Sequence, residues 1–233
     1  MVQSISLTRK MTFAGVASGL LALAATLFAP LPTLAASDNG AAKWKVWTYN
    51  PSGRAFKGSV PANATPNAVA TFSFPLTPDT ALLVTDHGSY KGTLLGDLTD
   101  KTLSAKMSDS GGPFTYYGQP DACNAPPQVR FYFQTKSPSS FNETDYWWSN
   151  PVSLQLDGLT SPTTMSVAIS DGSKWSDFFG HFGNDPTYAP AFNAAVKDVT
   201  SIGVSFGGGC FFENGVGAPN GGSFTLWSFG ASP

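Results

Sequence analysis

Charge is what this chain has least of: Asp, Glu, Lys and Arg make up 12% of it. That composition is far from the Glu/Lys/Leu-rich profile of helical proteins. Thirteen basic residues stand against fifteen acidic ones, and two of the basic ones, Arg9 and Lys10, lie in the first ten positions. Phosphate backbones and anionic lipid surfaces are held by clustered Lys and Arg, so this balance argues against a nucleic-acid partner and against an anionic membrane surface. Histidine is scarcer still. His87 and His181 are the only two, no His-Glu-x-x-His pair exists, and nothing beside either histidine in the sequence marks an orienting partner for a catalytic triad. No EF-hand loop, internal repeat or low-complexity linker is present.

Long apolar runs are also missing, with one exception. Phe13 to Phe28 follows Arg9 and Lys10 and precedes Pro30, Pro32 and the small-residue stretch Thr33-Leu34-Ala35-Ala36. A basic start, an apolar centre and small residues at the end form a secretory signal peptide, with cleavage expected after Ala35 or Ala36. The run is too short to be a good membrane span, so no stable span is expected once it is removed. The expected organisation is a signal peptide at 1–36 and a single domain at 37–233, secreted or extracytoplasmic.

Cysteine is limited to Cys123 and Cys210. In an exported chain an even count suggests a disulfide, which over so long a loop contributes roughly 4–5 kcal/mol in the chain-entropy model. Zinc wants more Cys or His at short spacing, and a thiol nucleophile wants a partner base.

What the chain has in abundance is Gly, with 24 residues, and Pro, with 18. Between these turn formers, apolar residues alternate with polar ones. Trp44 and Val46, then Phe72, Phe74 and Leu76, then Leu103, Ala105 and Met107 follow this pattern. So do Val129, Phe131 and Phe133; Val152, Leu154 and Leu156; Met165, Val167 and Ile169; Ile202, Val204 and Phe206; and Phe224 with Leu226. A period of two places one face in a core and the other outside it or against a second layer. Eight or more such segments predict an all-β sandwich or barrel. Gly58 to Asn67, poor in large apolar residues and holding Pro61 and Pro66, reads as a loop. One segment has a helical period: Phe192, Ala195, Val196 and Val199 predict a short helix within Ala191–Val199, with Pro190 in its first turn.

Candidate chemistry is sparse. Glu143, Asp145, Asp157, Asp171, Asp177 and Glu213 could supply the two carboxylates of a glycoside hydrolase or lyase, although no spacing selects a pair. The metal site is unknown: Gly207-Gly208-Gly209, Glu213-Asn214-Gly215 and Asp171-Gly172 are flexible enough for a structural calcium. The sharpest feature is Tyr146-Trp147-Trp148. Neighbours on an extended chain point to opposite faces, so Trp147 and Trp148 cannot share one core. An exposed indole is a flat platform for the C–H face of a sugar, and Trp175 is a candidate second platform. Asn63-Ala64-Thr65 and Asn142-Glu143-Thr144 match the N-glycosylation sequon.

A little over half of the chain carries a resemblance. Its segments are Gly96–Ala105, Gln128-Val129-Arg130-Phe131-Tyr132-Phe133, Asp145-Tyr146-Trp147-Trp148-Ser149-Asn150, Lys174-Trp175-Ser176-Asp177, Val199–Phe206 and Gly222-Ser223-Phe224-Thr225-Leu226. Together they resemble the galactose-binding-like jelly rolls found in many carbohydrate-binding modules, and exported bacterial proteins with Tyr-Trp-Trp-Ser-Asn-Pro and Ser-Phe-Gly-Gly-Gly segments. The resemblance implies a jelly roll of eight or more strands, often with a structural calcium, and a sugar site in the loops or on the concave face. The resulting expectation is a non-catalytic binding domain for polysaccharide or glycan, with Tyr146, Trp147, Trp148 and Trp175 as ligand-binding residues. A carboxylate-dependent hydrolase or lyase and an envelope or matrix structural protein stand as alternatives.

After export, intact mass should place the new N-terminus at Ala36 or Ser37. Alkylation should add two labels only after reduction. A retained leader, or two labels on unreduced native protein, would refute the respective reading.

Overall fold

The computed structural model describes residues 43–50, 55–117, 125–135, 142–208 and 215–233. The expected signal peptide, Cys123, Cys210, Glu213 and Asn214 lie outside the described residues. The described residues belong to one unit, Ala35–Pro233. Among them no helix is long and apolar enough to cross a membrane.

In chain order the first strands are β1 (Lys45–Asn50), β2 (Ala55–Pro61), β3 (Asn63–Thr65), β4 (Ala68–Ser73) and β5 (Thr80–Thr85). Next come β6 (Thr102–Gly111), β7 (Thr115–Tyr116), β8 (Gln128–Gln134), β9 (Tyr146–Ser149) and β10 (Leu154–Gln155). The last are β11 (Thr163–Ala168), β12 (Trp175–Ser176), β13 (Ser201–Gly207), β14 (Val216–Gly217) and β15 (Gly222–Ser232), with α1 (Ala189–Ala195) before β13. They form two antiparallel sheets. A ten-stranded sheet runs β12-β9-β8-β13-β5-β1-β2, with β10 on β8, β14 on β5 and β7 on β14. A five-stranded sheet runs β11-β6-β15-β4-β3. The chain switches repeatedly between sheets, from β4 to β5, β5 to β6 and again at β11 and β15, as jelly-roll connections do. The described residues form an all-β sandwich with one short α-helix, as the alternation predicts.

The core is the meeting of the two inner faces. Val46, Leu83, Val129, Phe131, Phe133, Trp147, Ile202, Val204 and Phe206 of the larger sheet face Phe72, Leu103, Ala105, Met107, Met165, Val167, Phe224, Leu226 and Phe229 of the smaller. Rings meet edge to face across the gap: Phe206 lies 5.6 Å from Phe72 and 5.0 Å from Phe224, and Phe131 lies 5.7 Å from Phe229. These are the favoured aromatic geometries. Gly203 is needed where it stands, because a Cβ there would lie 2.1 Å from the Leu83 carbonyl oxygen. Its absence lets the backbones of β13 and β5 close together.

Two expectations are corrected. Gly58–Asn67 is strand over most of its length, because β2 pairs with β1 and β3 with β4 through the backbone. Ladder hydrogen bonds need no large side chains, and Pro61 is tolerated at the end of an edge strand. The helix starts at Ala189 and stops at Ala195 rather than reaching Val199. Beyond it Val199 exchanges backbone hydrogen bonds with Gly96, donating at 3.0 Å and accepting at 2.8 Å. The expected apolar face is nevertheless buried, with Phe192 lying 4.9 Å from Trp147.

Phe206→Ala should destabilise the fold by about 3–5 kcal/mol in urea unfolding. Leu76→Ala, at a side chain 67% exposed, should change stability by less than about 0.5 kcal/mol.

Candidate functional site

The outer faces of the two sheets differ in chemistry. On the five-stranded sheet the outward residues are hydroxyl-rich and paired: Ser166 donates to Ser104 at 3.1 Å, Ser110 and Ser223 share a hydrogen at 2.8 Å, and Trp227 Nε1 donates to Ser108 at 2.9 Å. This is the solvated outer surface that an antiparallel sheet normally presents.

The ten-stranded sheet instead presents aromatics. Register carries one rung from Trp148 through Tyr132, Gly203 and Val84 to Lys45, and the next from Arg130 through Ser205, Leu82 and Trp47 to Ser59. Ala81, Leu82, Val84, Tyr132, Tyr146 and Trp148 form a second apolar cluster, with half-buried Trp47 and Tyr49 packed on it. Tyr132 lies 5.3 Å from Trp148, Tyr146 6.4 Å and nearly parallel, and Phe178 extends the layer at 6.1 Å. Polar groups are set among the rings. The Tyr132 hydroxyl donates to Gln134 Oε1. Arg130 donates to Gln128 Oε1 at 2.6 Å and to the Gly208 carbonyl at 3.2 Å. Burial lowers the Arg130 pKa to about 10, which leaves the guanidinium charged at neutral pH.

The four expected sugar-binding residues separate. Trp147 and Trp148 point to opposite sides, as alternation requires, but both are buried, at 0% and 1% exposure. Trp147 belongs to the inner core and donates its Nε1 hydrogen to the Thr144 carbonyl at 2.8 Å. Trp175 is 0% exposed, lies 5.0 Å from Phe133 and donates to the Ala168 carbonyl at 3.0 Å. Tyr146 and Trp148 are buried in the outer cluster. The larger sheet is buried on both sides, and the four rings share no open groove. Trp47 and Tyr49 of β1 are half-buried aromatics of the outer face. The outward side of the β1 alternation was the available signal.

The remaining candidates are occupied by structural roles. Asp171 caps a short turn, its Oδ1 accepting from the Ser173 amide at 3.1 Å and the Ser173 hydroxyl at 2.6 Å. Asp145 Oδ1 accepts from Asn142 Nδ2 at 3.4 Å. His87 Nδ1 accepts from the Ser89 amide at 3.2 Å. His181 does have partners that the sequence did not reveal. Its Nδ1 lies 2.9 Å from Asp177 Oδ2, and its ring stacks on Tyr188 at 3.9 Å with Nε2 3.1 Å from the phenol oxygen. Asp177 is fully buried, and its Oδ1 accepts the amides of Phe179 at 3.0 Å and His181 at 2.8 Å. The Nε2 partner is a phenol stacked on the imidazole, so no serine nucleophile is placed there. Gly203-Val204-Ser205-Phe206-Gly207 has the spacing of a hydrolase nucleophile elbow, a match absent from the sequence reading above. The structure puts Ser205 in the middle of β13, fully buried, with none of the strand-to-helix turn that an elbow needs.

One acid was missed. Asp109 on β6 is buried, and its pKa is raised, first by burial and then by the negative charge of Asp157. It occupies the next inward position after Leu103, Ala105 and Met107, so the alternation held the signal.

No protein-family model matches the chain, and no curated protein matches it. Two solved structures are similar at low level. One is a xylan-binding module, CBM15, at 12% identity and TM-score 0.35, covering 81% of this chain and 94% of that one. The other is a mutant of Xylanase10C from Cellvibrio japonicus in complex with xylopentaose, at 13% identity and TM-score 0.34, covering 81% of this chain and 28% of that one.

Asp177→Ala should destabilise the protein by about 1–2 kcal/mol in thermal or urea unfolding, because two part-buried amides lose their acceptor. An unchanged midpoint would show that the loop does not depend on this carboxylate.

Proposed function

We propose that this chain is an exported, non-catalytic carbohydrate-binding β-sandwich that holds a polysaccharide at the half-buried rings of Trp47 and Tyr49 on the outer face of its ten-stranded sheet. The supporting observation is the contrast between the two outer faces. One is a ladder of hydroxyls. The other is an aromatic layer of Trp148, Tyr132 and Tyr146, with Trp47 and Tyr49 packed against the same apolar cluster and with amide, hydroxyl and guanidinium groups of Gln128, Gln134, Ser205 and Arg130 along the same strands. Sugars are amphipathic, with C–H faces that stack on rings and hydroxyls that need fixed donors and acceptors. Trp148 and Tyr146 serve as the floor of this face, while Trp147 and Trp175 support it from the core. The leader pattern at 1–36 supports export.

Affinity electrophoresis and tryptophan fluorescence across soluble xylans, glucans, mannans and galactans should show retardation and a spectral response to at least one polymer. Trp47→Ala and Tyr49→Ala should each weaken binding about tenfold, the loss of one stacking contact worth about 1.4 kcal/mol, with an unchanged far-UV spectrum. No response to any polymer would overturn the reading. Release of reducing ends would replace binding with catalysis.

A further inference from the structure

We propose that a second copy of this chain pairs with it along the outer edge of β11, so that the two five-stranded sheets join into one continuous antiparallel sheet. Four strands end the two sheets: β12 and β2 in the larger, β11 and β3 in the smaller. An end strand carries a row of unpaired backbone groups and is a template for another strand unless something blunts it. Three of the four are blunted. β12 is only two residues long, and its Ser176 is bridged to Phe182. β2 ends in Pro61, and its register against β1 shifts between Thr48 and Tyr49. β3 has three residues, a register shift of its own and Pro66 directly after it.

β11 has none of these devices. Its six residues, Thr163-Thr164-Met165-Ser166-Val167-Ala168, include no charge and no proline, and its register against β6 is unbroken from end to end. Among the described residues no other strand pairs with it. Met165 and Val167 are buried on the inner side, while Thr164, Ser166 and Ala168 are exposed.

The direction of the backbone groups follows from one hydrogen bond. On an antiparallel strand, successive residues turn their peptide groups alternately toward and away from the neighbour. Ile169, one step past β11, donates its amide to the Lys101 carbonyl at 2.8 Å, one step before β6. The groups of Val167, Met165 and Thr163 therefore also point at β6, and those of Ala168, Ser166 and Thr164 point away from it. The Ala168 carbonyl agrees, because it accepts from Trp175 Nε1 at 3.0 Å and from the Asp171 amide at 3.4 Å, both outside the ladder. The edge thus offers the N–H and C=O of Thr164 and Ser166.

A second β11 fits this edge in one register. With a two-fold axis at Met165, Thr164 of each copy faces Ser166 of the other, and each such pair exchanges two backbone hydrogen bonds. Pro162, which has no N–H, then falls opposite Ala168, whose carbonyl is already occupied. An axis at Ser166 would instead set Thr164 against that occupied carbonyl. The contact is isologous, as two-fold dimers require, and it brings no like charges together because the strand carries none. On the outer side the hydroxyls of Thr164 and Ser166 extend the ladder that already joins Ser166 to Ser104. An interface this narrow gives a concentration-dependent dimer rather than a permanent one.

Sedimentation velocity of the purified protein between about 5 µM and 1 mM should show a monomer–dimer equilibrium. Ser166→Pro removes an N–H that faces away from β6, a change that an edge strand accommodates. It should raise the dimer dissociation constant at least about tenfold, with an unchanged far-UV spectrum. Exposed charges give a second measure if the proline variant misfolds. Thr164→Lys with Ser166→Lys sets like charges opposite one another across the seam and should leave a monomer throughout. Thr164→Lys with Ser166→Glu sets opposite charges there and should dimerise at least as tightly as the parent chain. A parent chain that stays monomeric to about 1 mM overturns the proposal, including when an added extended peptide binds the edge in place of a second copy. So does a dimer indifferent to both the proline and the paired lysines, or one that opposite charges fail to restore.

Discussion

In β13 every residue from Ser201 to Gly207 is buried, and its neighbours β8 and β5 bury nearly all of theirs. A strand whose two faces are both withdrawn from water must be covered on both sides. The inner cover is the five-stranded sheet, whose Phe72, Phe224 and Phe229 meet Phe206 and Phe131 edge to face. On the outer side Trp148, Tyr132, Tyr146, Leu82 and Val84 form one apolar cluster, with Trp47 and Tyr49 packed against it. The hydrogen-bonded ladder makes this possible, because it satisfies the backbone within the sheet and leaves both faces to be decided by side chains alone.

The same constraint separates binding from support. Trp147 and Trp148 are adjacent in the chain, yet one stabilises the interior and the other forms part of the outer layer. Trp175 falls opposite Ser149, and so joins Trp147 on the inner side, while Ser176 falls opposite Trp148. A cluster that is compact in sequence is thus divided by the sheet. The residues that share a face are instead drawn from β1, β5, β8, β9 and β13, far apart along the chain. Asp109 obeys the same rule. It is an acid at an inward position only because β6 continues its alternation to the end of the strand, where Asp157 arrives from a different loop.

Much of this was legible beforehand. The alternation in Leu103-Ser104-Ala105-Lys106-Met107 and in Val129–Phe133 marked strands and named their core residues correctly, because side-chain direction on a strand depends on parity alone. The helical period at Phe192, Ala195 and Val196 marked the buried face of α1 for the same kind of reason. The edge strands β2 and β3 were not legible, because their pairing uses backbone groups common to every residue. The partners of His181 were hidden because the contact with Asp177 and the stack on Tyr188 depend on how one loop folds back on itself.

The sequence by itself determined the class of architecture, which residues of each strand share a side, and the opposition of Trp147 to Trp148. These are local consequences of extended backbone geometry. Only the tertiary structure decided which side of each strand became the interior and that both sides of the larger sheet would be buried. The burial of both sides depends on which strands pair and in what register, and pairing between residues a hundred positions apart is a property of the assembled sheets.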